Sequence, residues 1–223
     1  MDEDDYRESA DAVGDEEPVR VDRSMMESVF GAENLNTWPE PKLPEDLRSA
    51  SREFLMEVGL PDDPASFFLL DDAPLKDEDS SEGLSRCSSL AGFSQYQGMP
   101  AEWAKWLVLG EIGVDPVVLD PCSGTVYSLP DGEYRADPLN SSVESFASFL
   151  YLLEGRRSEW DPEASEEPID PRSAVTALRE SLEQADPLPF EGHEPGWSES
   201  FDQDDDGPRM PTWDFLLRQI YEG

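Results

Sequence analysis

Lysine is nearly absent from this chain: only Lys42, Lys76 and Lys105 occur in 223 residues, and His193 is the single histidine. Lys and Arg together number 16 against 52 Asp and Glu, a formal net charge of −36 at neutral pH. A surface that negative repels phosphates, which argues against direct contact with nucleic acid or an anionic membrane. It favours fast capture of a basic protein surface instead. Acidic, lysine-poor composition also marks the proteins of salt-adapted or GC-rich organisms, so the charge alone decides nothing about function.

Cysteine is scarce as well. Cys87 and Cys122 are too few for a disulfide scaffold and lack zinc-ligand spacing, so both read as reduced, largely structural thiols. No apolar run approaches the roughly 20 residues of a membrane helix. The start, Met-Asp-Glu-Asp-Asp, is the opposite of a basic signal-peptide start, so a cytoplasmic chain is expected. With one histidine and no Gly-x-Ser-x-Gly elbow there is no basis for a Ser–His triad, and His193 reads as a loop residue. Carboxylate pairs suited to glycoside hydrolysis arise by chance at this acid content. No glycine-rich phosphate loop is present. Asp202-Gln203-Asp204-Asp205-Asp206-Gly207 matches the first half of a calcium loop. The twelfth position, however, is Trp213 rather than a bidentate Glu, and Pro208 and Pro211 stiffen the segment, so it reads as a solvated acidic loop. No cofactor, metal or catalytic residue is expected.

What is present is an ordered alternation of apolar segments. Residues 1–23 are acidic and nearly free of large apolar side chains, and are expected to be a disordered tail preceding one domain over 24–223. A short helix is expected over Ser24–Phe30, ended by Gly31. A second is expected to start with Pro44 at its first position, to carry Leu47, Phe54, Leu55 and Val58, and to stop at Gly59 and Pro61. Strands are expected at Phe67–Leu70, Trp106–Gly110, Pro116–Asp120, Thr125–Leu129 and around Tyr134. Turns at Asp120–Gly124 and Asp131–Gly132 are too short for parallel crossovers, so the sheet should be an antiparallel meander. Ser141 and Glu144 have capping-box spacing before Val143, Phe146, Phe149, Leu150 and Leu153, and Gly155 should end that helix ahead of Arg156 and Arg157. Further helices are expected from Pro171, capped by Asp170, and over Thr212–Tyr221. The sum is an α+β fold with helices packed on one side of the sheet. Trp103, Trp106, Phe146 and Phe149 read as core. Trp160 and Trp197, in polar loops, either anchor a partner or pack on their own domain.

Four stretches carry a family likeness: Arg52-Glu53-Phe54-Leu55-Met56-Glu57-Val58-Gly59-Leu60-Pro61, Trp106-Leu107-Val108-Leu109-Gly110-Glu111-Ile112-Gly113, Leu119-Asp120-Pro121-Cys122-Ser123-Gly124-Thr125-Val126 and Leu139-Asn140-Ser141-Ser142-Val143-Glu144-Ser145-Phe146. In order and spacing they resemble the SUKH superfamily of bacterial immunity proteins, in particular its fourth subfamily. The likeness spans roughly Phe30 to Leu153, and the helix from Trp213 fits a family-like C-terminus. The resemblance implies a non-enzymatic α+β domain that binds and neutralises a toxin domain, often a nuclease or nucleic-acid deaminase. An adaptor of the same fold with an endogenous partner is the alternative. Charge adds a candidate contact set, Asp71, Asp72, Asp77, Glu78 and Asp79 in one loop and Asp202, Asp204 and Asp206 in another, facing a basic partner. A monomer is favoured.

Overall fold

The computed structural model describes residues 20–63, 66–71, 75, 83–90, 93, 100–130, 135–165, 168–193, 195, 197 and 210–222. The expected tail lies almost wholly outside this set. Its last residues do not: Val21 is buried, and the Asp22 carboxylate caps helix α1 (Arg23–Phe30) by accepting from the Met25 amide at 2.8 Å. Val21 and Asp22 are thus part of the folded domain, with Gly31 closing α1 as expected.

Helix α2 runs Ser49–Glu57, five residues later than its Pro44 start was expected. The reason lies in the backbone. The Arg48 amide donates to the Pro121 carbonyl at 2.8 Å, tying that residue to the 120–124 turn in an extended conformation. The Pro44 carbonyl is taken by the Arg52 guanidinium at 2.6 Å. Residues 44–47 therefore form a single turn, and Leu47 reaches the core from outside the helix.

Two short strands, β1 (Leu35–Asn36) and β2 (Leu60–Pro61), pair antiparallel beside α1 and α2. The main sheet is β3 (Phe68–Leu70), β4 (Leu107–Ile112), β5 (Asp115–Leu119), β6 (Val126–Ser128) and β7 (Asp137–Asn140), in that spatial order and antiparallel throughout. This is the expected meander. The last strand sits later than expected: Tyr134 lies outside the described residues, and the pairing with β6 is made by 137–140.

A bulge in β4 sets the faces of the sheet. Val108 pairs with Val118 but Gly110 pairs with Val117, so one residue of β4 is extra. After it, Glu111 points outward while Ile112 returns to the core side. Gly110 is obligatory at this point, because a Cβ there would stand 2.1 Å from the Leu69 carbonyl oxygen.

The inner face of the sheet is closed by helices. Helix α3 (Val143–Gly155) lies at the centre, in contact with α1, α2, the short α4 (Arg157–Trp160) and α5 (Pro171–Ala185); α6 (Thr212–Glu222) packs on α5 and β7. Phe146 meets Phe68 edge-on at 5.2 Å, and Phe149 lies 5.3 Å from the Trp213 ring. All four aromatics are fully buried, as is the indole N–H of Trp213, which donates to the Leu139 carbonyl at 3.0 Å.

The cap of α3 is Ser142, not Ser141. Ser142 Oγ accepts from the Ser145 amide at 3.1 Å, and Ser145 Oγ accepts from the Ser142 amide at 3.1 Å. Ser141 is displaced from that role because its own amide donates to Asp186 Oδ2 at 2.6 Å. The same carboxylate oxygen also accepts from Ser145 Oγ and Asn140 Nδ2. A residue 45 positions downstream thus fixes the strand-to-helix junction.

Candidate docking surface

Most of the described arginines are spent within the chain. Arg86 meets Asp46 at 2.9 Å and, mainly through that hydrogen bond, holds its carboxyl below the usual range. Arg156 pairs with Glu159, Arg157 with Glu154 and Asp161, and Arg218 with Glu222. The hydrogen bond from Arg157 is the chief reason that the Asp161 carboxyl is also lowered. Exposed pairs of this kind contribute little stability. They do neutralise these few cations locally, leaving the net charge of −36 uncompensated.

Among the described residues, the Arg179–Asp214 ion pair is buried on both sides. Arg179 Nε donates to Asp214 Oδ1 at 2.9 Å, and the guanidinium stacks over Phe190 at 4.7 Å and reaches the His193 carbonyl. Burial pushes the Asp214 carboxyl up, opposed by the Arg179 hydrogen bond. His193 serves here through its backbone, as a loop residue. Burial also drives the Cys87 thiol up to about 12, so that side chain is an inert packing group. Cys122, by contrast, is exposed in the 120–124 turn rather than structural. Trp160 is buried, with its indole donating to Leu153, and Trp197 stacks on Tyr221 at 5.3 Å, so both pack on their own chain.

Of the acidic contact residues expected from the sequence, the described set includes Asp71 alone. It is half-buried and its amide donates to the Leu109 carbonyl at 2.9 Å, which extends the β3–β4 ladder by one bond. Asp72, Asp77, Glu78, Asp79, Asp202, Asp204 and Asp206 lie outside the described residues, as does the calcium-like segment 202–207. Among the described residues no His/Cys/Asp/Glu group could hold a metal ion, and no helix is long and apolar enough to cross a membrane.

The outer face of the sheet carries the features that the sequence reading missed. Half of it is covered: the connection from β3 to β4 brings Cys87 and Leu90 against Val108 and Val118, and Trp103, Trp106 and Tyr127 stack at 5.1 and 4.6 Å. Across the other half the described residues are more exposed. Register places Leu69 of β3, Glu111 of β4 and Pro116 of β5 in one row across three strands. Leu69 is 41% exposed, Glu111 is exposed, and at the tip of the β4–β5 hairpin Val114 is 74% exposed. Gly113, at φ +65°, supplies the positive dihedral that the two-residue loop requires. Only the apolar Val114, where turn chemistry favours a polar residue, could have signalled this end from sequence.

A family model described as SUKH-4 immunity protein matches residues 21–203. The chain belongs to that family. Comparison with curated proteins and with solved structures yields no match. The matched range opens one residue before the Asp22 cap, and it contains the whole meander and α1 to α5. Helix α6 lies beyond it, so the closing element is not covered by the family correspondence even though Trp213 and Leu217 sit in the same core. Membership gives the general role, immunity to a toxin, and with it a toxin protein as partner. The family is one of immunity proteins rather than enzymes.

Proposed function

We propose that this chain neutralises a basic, nucleic-acid-acting toxin domain by one-to-one docking in the cytoplasm, as a monomer and without catalysis. The observation that carries the reading is the SUKH-4 match over residues 21–203, joined to a net charge of −36. An enzyme that works on nucleic acid presents cations along its substrate path, and a polyanionic protein is complementary to that path. The buried ionisable groups are consistent with a binding protein. Arg179–Asp214 and Cys87 are buried groups that hold packing together.

Co-expression tests the reading directly. A toxin domain encoded beside this chain should arrest growth alone and cease to do so when this chain is present. Calorimetry on the purified pair should give a stoichiometry near one. Growth arrest that persists under co-expression would overturn the proposal. Charge steering has a separate signature: exposed charges act on association and are screened over about 8 Å at physiological salt. The association rate should fall as salt rises, with dissociation much less affected.

A further inference from the structure

We propose that the partner docks on the more exposed half of the outer sheet face, at the β4–β5 hairpin end, and meets it with a cationic protein surface around an apolar contact. This inference rests on the immunity reading and gives it a location.

Two of the four exposed large apolar side chains among the described residues, Leu69 and Val114, fall at this one end; the others, Met56 and Phe215, stand on separate helices. Single exposed apolar residues need no explanation, but this pair sits where the fold does not require it. Gly113 supplies a positive φ of +65° for the turn, and a Cβ added there would meet nothing within 4 Å, so that position is under no packing constraint. Valine at 114 breaks local turn preference and, at 74% exposed, buries little in return. Leu69 lies on a strand at the sheet edge, on the side away from the core that Phe68 and Leu70 enter.

The charge around these two side chains selects the occupant. Glu111 stands between Leu69 and Pro116 in the cross-strand row, where neighbouring Cβ atoms are about 5 Å apart. No described cation pairs with Glu111. Asp115 adds a second carboxylate directly after Val114 at the hairpin end, although its register partner Ile112 puts its side chain on the inner side of the sheet. Beyond the other end of β3 the acidic run starting at Asp71 continues in sequence. A second copy of this chain is a poor occupant, because a two-fold contact sets the same carboxylates against each other. Nucleic acid and anionic lipid are repelled for the same reason. A protein surface with cations around an apolar contact satisfies both features.

The test uses the full chain and, as probe, a catalytically inactivated toxin domain from the adjacent reading frame. Val114→Arg and Leu69→Arg add a bulky cation at exposed positions and should each weaken the complex roughly tenfold or more, as loss of a central contact does. Glu111→Lys should slow association. Phe215→Arg, an equally exposed position on α6, should bind like the wild type and controls for charge addition. Thermal melts of each variant confirm folding. Wild-type affinity in all three patch variants overturns this location and leaves the immunity reading standing, as does equal weakening by Phe215→Arg. Failure of the wild type to bind or protect overturns the immunity reading and this inference together. A wild-type dimer at micromolar concentration that Val114→Arg dissociates would assign the face to self-association and overturn the inference.

Discussion

The two faces of the main sheet are built to different standards. The inner face is sealed by helices and by interlocking aromatics, Phe68, Phe146, Phe149 and Trp213, with each fully buried. The outer face has a five-residue buried cluster around Trp106 and Val118 and is exposed at Leu69, Glu111 and Val114. The contrast separates two tasks. A sheet sealed on one side has enough buried area to fold, so its other side is free to be shaped by what it must contact.

Substitutions can break this comparison, and the largest effect belongs on the sealed side. Phe146→Ala removes a fully buried ring that meets both Phe68 and Trp213, and should cost about 3–5 kcal/mol in denaturant unfolding. Trp106→Ala should cost about 3 kcal/mol, the low end of the range for a buried aromatic, because the outer cluster it stacks in is much smaller than the inner core. Equal losses would mean that the outer cluster is as structural as the inner core.

The helix cap sharpens the picture at smaller scale. Ser142→Ala should cost about 1 kcal/mol, the usual value of an N-cap hydroxyl. Ser141→Ala should cost less, since that residue is held through its backbone amide, which alanine keeps.

These effects trace how much the residues reveal unaided. Apolar runs and short turns were enough to read the meander, the central helix and α5, since strand and helix periods show directly in the spacing. Details set by distant partners were not readable. The cap moved from Ser141 to Ser142 because Asp186 arrives from far along the chain, and α2 started late because the Arg48 amide is drawn to Pro121. Charge density in the sequence points to Asp71–Asp79 and Asp202–Asp206, of whose acidic residues only Asp71 lies among the described residues. The row Leu69–Glu111–Pro116 exists only across strands, and only once the bulge at Leu109 and Gly110 has set the register.

The buried ion pair offers a test by pH. Burial raises the Asp214 pKa above its unfolded value, so the native state holds that proton more tightly. The contribution of Asp214 to stability therefore falls as pH rises from the ordinary carboxylate value through the raised one, and is constant above it. The stability difference between wild type and Asp214→Asn should decline across that window. A difference that grows with pH would show that Arg179 outweighs burial. The smallest stability effects of all are expected at Leu69→Ser and Val114→Ser, within about 0.5 kcal/mol of wild type, as for surface sites generally.

Amide hydrogen exchange on the full chain, with and without the toxin domain, tests the division of labour most directly. Amides of residues 66–71 and 111–115 should slow on complex formation, while those of α5 and α6 keep their rates. Unchanged exchange in the β3 and β4–β5 hairpin segments, with new protection on α6, would contradict the account.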